Sequence, residues 1–132
     1  MTYLLDVNAL VALGFQQHEF HRRVALWVRS EQPAHLATCS ITELGFVRVL
    51  AQAPGYGLAI GHARTLLLRL KESVSPRFTF INDSHDVSHL PSWVKTARQI
   101  TDGHLAQLAK ANGAVLATLD RKIPGAFLIP EL

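Results

Sequence analysis

Four short apolar runs constrain this fold most: Thr2–Asp6, His35–Cys39, Arg77–Ile81 and Ala114–Thr118. The first suits a buried strand, the others read as short strands, and all are too short for a typical buried helix. The stretches between them carry apolar residues at helical spacing. Ala9–Phe15 and His18–Glu31 form the first such block, with Val24, Trp27 and Val28 on one face and Pro33 as a stop. Ser40–Ala53 follows, then a Pro54-Gly55-Tyr56-Gly57 loop, then Leu58–Glu72 with Leu66, Leu67 and Leu70 turned inward. Asp83–Pro91 reads as irregular or a short helix, and Ser92–Gln99 as helical. Thr101–Asn112 presents Leu105, Leu108 and Ala109 on one face and stops at Gly113. Ala126–Ile129 is a candidate fifth strand. Strands alternating with helices predict parallel pairing and an α/β sandwich. In such sheets ligands sit beyond the carboxyl ends of the strands.

That rule draws attention to four acids. Asp6 ends the first run, Glu43 lies in the first turn after the second, and Asp120 lies just past the fourth. Asp102 opens the helix before the fourth run. Each has a local explanation. Asp6 and Asn8 suit helix capping. Ser40-Ile41-Thr42-Glu43 fits a capping box. Thr101 suits an N-cap with Asp102 on the helix dipole, and Asp120 suits a turn. Taken together, four carboxylates in one cleft repel and raise one another's pKa unless a cation neutralises them. Hard divalent ions prefer carboxylate oxygen, and such clusters serve phosphodiester hydrolysis.

Charge points the same way. The chain has 13 basic and 10 acidic residues, net +3. With the four acids set apart, 13 basic residues face 6 acidic ones, a surround suited to an anionic partner. Arg121 and Lys122 flank the proposed site and are candidates for gripping phosphate, followed by Arg48, Lys95 and Arg98. Cys39 stands alone, so no internal disulfide forms and a buried thiol is expected. No basic leader or membrane-length apolar run is present, which predicts no membrane association and cytoplasmic residence.

Other signals carry less. In His18-Glu19-Phe20-His21 the histidines are three apart, whereas the zinc motif needs four. The Pro54–Gly57 loop lacks the lysine of a phosphate-binding loop. Trp27 and Trp93 lie in apolar helical patterns and read as packing residues rather than base-stacking ones.

Leu4-Leu5-Asp6-Val7-Asn8-Ala9-Leu10 resembles the Asp-x-Asn motif that opens PIN domains. Ile41-Thr42-Glu43-Leu44, Thr101-Asp102-Gly103-His104-Leu105-Ala106 and Ala117-Thr118-Leu119-Asp120-Arg121 resemble their next three acidic motifs, in order. Glu43–Arg48 and Arg98–Asp102 are similar to the VapC-type toxin branch. The resemblance implies one PIN-like nuclease domain over residues 1–132, folded as a three-layer α/β/α sandwich with a mainly parallel sheet of four to five strands. It implies Mg²⁺- or Mn²⁺-dependent endoribonuclease activity, with Asp6 and Asp102 as first metal ligands and Glu43 and Asp120 completing the site. Asn8 and Thr118 would orient the carboxylates. A small VapB-type antitoxin and a homodimer are the implied protein partners. Gly103 departs mildly from the family pattern and, if interior, would weaken its helix by about 1 kcal/mol relative to Ala.

Three other readings compete. A catalytically inactive PIN-like module would bind RNA or protein only. A phosphatase using Asp6 as nucleophile would want a second acid where Asn8 stands. A receiver domain would place its phosphoacceptor after an acidic pair, which the first run lacks.

Overall fold

The computed structural model describes residues 1–31 and 34–132. The expected helix stop at Pro33 lies outside them. The elements are β1 (Thr2–Leu5), α1 (Val7–Gly14), α2 (His21–Ser30), β2 (His35–Cys39), α3 (Ser40–Gln52), α4 (Ile60–Lys71), β3 (Arg77–Ile81), α5 (Ile100–Ala111), β4 (Ala114–Thr118) and β5 (Phe127–Leu128). Short 3-10 turns occupy Val87–His89 and Ala97–Gln99. All strand pairs are parallel, in the order β3-β2-β1-β4-β5. The expected α/β class with a parallel sheet is the observed one.

Strand alternation splits the core into two layers, because successive side chains leave opposite faces of a sheet. Leu5, Leu36 and Ala117 point to one face, where they meet Leu10, Trp27, Phe46, Leu50 and Leu67 from α1 to α4. Leu4, Ala37 and Leu116 point to the other, against Leu105 and Leu108 of α5. Cys39 is buried in that second layer as a free thiol. Trp27 packs on Tyr3 and Phe127, with ring centroids 4.9 and 5.4 Å away, so it is a core residue.

The expected helix over Ser92–Gln99 reduces to a single 3-10 turn at Ala97–Gln99. The side-chain oxygen of Gln99 accepts the N–H groups of Lys95 (2.7 Å) and Thr96 (3.1 Å), so helical structure begins only after them. Upstream, Val94 and Trp93 lie against Gly103 of α5. Among the described residues no helix is long and apolar enough to cross a membrane.

Candidate active site

Sheet register builds the site. Leu5 of β1 pairs with Ala117 of β4, so the residues that follow, Asp6 and Thr118, emerge side by side at the carboxyl edge. The Asp6 N–H donates to the Ala117 carbonyl at 3.1 Å. The Asp6 side chain then caps α1, Oδ1 accepting from the Ala9 N–H at 2.9 Å. Its other oxygen accepts from the Thr118 hydroxyl at 2.5 Å. That same hydroxyl accepts the N–H of Asp120 at 2.9 Å, which links the acids of two strands through one side chain. Capping and a chemical role for Asp6 are therefore compatible.

Asp102 reaches the same edge from the first turn of α5, whose N-cap is Gln99 rather than Thr101. Burial, chiefly, lifts the Asp6 pKa from 3.8 to about 6, and the charges of Asp102 and Asp120 add to the rise. The Thr118 and Ala9 hydrogen bonds oppose it. Asp102 is raised too, first by burial and then by Asp120. Asp120 is exposed and its Oδ1 accepts the Lys122 N–H at 2.9 Å, a turn contact.

Glu43 stands apart from these three. It does not make the capping-box contact, which Thr42 makes to the Cys39 N–H at 3.0 Å. Instead Glu43 Oε2 accepts from Thr38 at 2.6 Å and from the Lys71 ammonium, at the end of α4, at 2.5 Å. Neither partner figures in the sequence reading. The lysine lies 28 residues downstream and joins Glu43 only because α4 packs on α3.

Two clefts meet at Asp120. One is lined by Trp93, Arg98, Gln99, Asp102, Asp120 and Lys122. The other is lined by Asp6, Asn8, His18, Phe20 and Asp120, among others. Asn8 thus borders the acids, and among the described residues its side chain makes no hydrogen bond to them. Of the cations singled out in sequence, Arg98 and Lys122 border the Asp102 cleft. Lys95 is exposed. Arg121 is paired with Glu131. Arg48 lies with Glu43 in a separate apolar groove between α3 and α4, beside the exposed Leu44, Ile60 and Leu68.

Among the described residues, no three His, Cys, Asp or Glu side chains converge closely enough to enclose one ion. The donor chemistry nevertheless fits a hard divalent cation. Three oxygen donors share one edge, two of them raised in pKa, and Mg²⁺ typically takes one or two carboxylates and fills its remaining positions with water.

The PIN-domain profile matches residues 3–126. Ribonuclease VapC38 of Mycobacterium tuberculosis is 40% identical over 122 residues, covering 89% of this chain and 84% of that one. Ribonuclease VapC44 of the same species is 35% identical, covering 93% and 89%. VapC20 of Mycobacterium tuberculosis, described as a sarcin-ricin-loop-cleaving toxin, superposes with a TM-score of 0.63 at 11% identity, covering 97% and 99% of the two chains. VapBC2 of Rickettsia felis, solved on a fragment of promoter DNA, gives a TM-score of 0.61 at 17% identity and 97% coverage of both. With a family match over nearly its whole length and relatives of this identity, the chain belongs to the PIN-domain family, in its VapC-type branch.

Proposed function

We propose that residues 1–132 form one metal-dependent endoribonuclease unit, the toxin half of a toxin–antitoxin pair. The observation that carries this reading is the grouping of Asp6, Asp102 and Asp120 at the carboxyl edge of the sheet, where, besides burial, Asp102 and Asp120 raise the Asp6 pKa and Asp120 raises that of Asp102. Relatives called ribonucleases support it. Asp6, Asp102 and Asp120 are the proposed holders of Mg²⁺ or Mn²⁺. Glu43 completes the acidic set on the condition that Lys71 shares or releases it. A divalent ion held there would supply Lewis acidity toward the phosphate and toward attacking water.

The chain's own residues do the rest. Ala9 and Thr118 hold the Asp6 carboxylate in one orientation, and Thr118 ties its position to that of Asp120. Arg98 and Lys122 are the proposed phosphate grips, a role supported by their lining the cleft beside Asp102. Water adds to phosphorus, the bond to the 3′ oxygen breaks, and that oxygen takes a proton, leaving a 5′-phosphate and a 3′-hydroxyl. The proposed protein partners are a VapB-type antitoxin and a second copy of the chain, in the cytoplasm. The exposed apolar groove between α3 and α4 supports a protein partner of some kind.

The decisive experiment incubates purified, partner-free protein with total cellular RNA in Mg²⁺, Mn²⁺ or EDTA, beside Asp102→Asn. Discrete cuts that need metal and vanish in the variant are expected. Equal cutting in EDTA, or by Asp102→Asn, would overturn the reading. A second expectation concerns Thr118→Val, which deletes the hydroxyl that Asp6 and Asp120 share. Mn²⁺ affinity, followed by calorimetry, should fall about 10- to 100-fold, the usual cost of losing a group that orients a metal's ligands. Unchanged affinity would remove Thr118 from the site.

A further inference from the structure

Phe20 is hard to explain by its local structure. It occupies the N-cap of α2, where Ser, Thr, Asp or Asn would satisfy a free backbone N–H, and it provides no capping bond. It is also 40% exposed, while Trp27 and Phe46 are buried in the core. A residue that gives up a cap and leaves an aromatic face in water breaks local rules, and such violations concentrate at functional sites.

Its surroundings indicate what the face could serve. Phe20 borders the cleft that contains Asp6, Asn8 and Asp120, with a volume of about 400 Å³, in the range of small-ligand sites. His18 lines the same cleft, its ring centroid 5.9 Å from that of Phe20 at an interplanar angle of 46°. The Phe20 N–H donates to His18 Nδ1 at 3.0 Å, which leaves the imidazole proton on Nε2. Burial holds the His18 pKa down, in keeping with a neutral ring. Arg23 places its guanidinium carbon 5.9 Å from the Phe20 ring centre, within cation–π range. That guanidinium is itself anchored on the carbonyls of Ile129 and Pro130. The ring is thus braced before any ligand arrives, which lowers the ordering cost of stacking on it.

We propose that Phe20, with His18 beside it, is a stacking platform for an unpaired nucleobase of the RNA next to the acidic site. This rests on the ribonuclease reading and deepens it. A base must leave its own stack to lie on an aromatic side chain, so the platform selects single-stranded or looped RNA over duplex. Stacking tolerates every base, because each has a π-face, so Phe20 contributes affinity and strand preference more than sequence.

The test is the affinity of a short, mixed-sequence, fluorescein-labelled single-stranded RNA, by anisotropy at low ionic strength in EDTA so that no strand is cut. Phe20→Ala should bind about 5- to 150-fold more weakly than wild type, the range for one stacked base. Phe20→Trp should retain the affinity, which also shows that a changed side chain at this position leaves the fold able to bind. An abasic strand of equal length should bind wild type and Phe20→Ala alike. Equal affinity of wild type and Phe20→Ala for the normal strand overturns the platform, as does an equal loss on the abasic strand or no wild-type binding at all. If Phe20→Ala instead weakens only capture of a copurified protein partner, the face is a protein contact and the platform fails. Cleavage in Mg²⁺ is measured alongside. Cutting with no Phe20 effect defeats the platform alone, and a Phe20 effect without cutting defeats the nuclease reading alone.

Discussion

At about pH 7.5 and without divalent metal, Asp6→Asn should unfold at a higher temperature than wild type, yet cut RNA in Mg²⁺ more than about 100-fold more slowly. That loss exceeds the 10- to 100-fold typical of groups that only support a metal's ligands. The gain in stability follows from proton linkage. The Asp6 pKa is about 6 in the folded chain against an ordinary 3.8. The folded state therefore holds a proton that the unfolded state has released. The stability this confers is fully present below about pH 4 and is lost as pH rises through about 6. At neutral pH the ionised acid thus costs the fold at most about 3 kcal/mol. Asparagine removes the charge and keeps an oxygen to cap Ala9, and Asn and Asp are equivalent N-caps. Each kcal/mol recovered should raise Tm by roughly 3–4 °C. Thermal unfolding of both proteins at about pH 7.5 and pH 4.5 checks the sign, since the advantage must shrink at the lower pH. Asp6→Ala should fare worse than Asp6→Asn, because it also loses the cap at about 1 kcal/mol. A less stable Asp6→Asn at neutral pH would mean that Asp6 is a structural cap and little else.

Gly103→Ala should destabilise the protein by about 1–3 kcal/mol, although alanine is the better helix former. The reason is a contact between α5 and the segment before it. A Cβ at Gly103 would lie 2.2 Å from Val94 Cγ2, with Pro91 and Trp93 close behind. Valine is branched at Cβ and cannot swing a flexible end aside, so the 91–94 segment must move. Trp93 lines the cleft that holds Asp102 and Asp120, so cleavage should fall as well. Gly61 in α4 is the internal control. Nothing lies within 4 Å of its would-be Cβ, and Gly61→Ala should stabilise by about 0.5–1 kcal/mol. Denaturant unfolding of the two variants should give opposite signs. Stabilisation in both would mean that helix propensity outweighs the Val94 contact. Sequence reading treats Gly103 as a small loss of helix propensity; the structure gives a steric reason for its presence.

What the sequence discloses and what it hides differ in range. Strands β2 and β4 are legible as largely apolar runs, and β3 by the β-favouring residues of Arg-Phe-Thr-Phe-Ile, each bounded by turn or capping residues within a few positions. Asp6 and Asp120 are legible for the same reason, since the register of one strand pair decides where both emerge. Helix starts are less legible. Asp6 caps a helix that begins two residues earlier than its apolar pattern suggests, and Thr101 yields to Gln99 as the cap of α5. The Lys71 partner of Glu43 is illegible, because nothing local marks a lysine at the end of α4 as the neighbour of an acid at the start of α3. The brace of Phe20 by Arg23 is hidden too, since Arg23 is held by carbonyls more than a hundred residues away.

Strand order has a bearing on the timing of synthesis. The central strand, β1, is made first, yet one of its two neighbours is β4, with Thr2 opposite Ala114. A nascent chain that has not yet released residues 114–120 lacks Asp120, the hydroxyl that steadies Asp6 and the carbonyl that receives the Asp6 N–H. Contacts this distant in sequence form late in folding, because the loop must close before they can stabilise anything. On the proposed nuclease reading, a ribosome-bound fragment of this chain should stay inert toward RNA until residues 114–120 have emerged. Premature termination before Ala114 yields a product without Thr118 and Asp120.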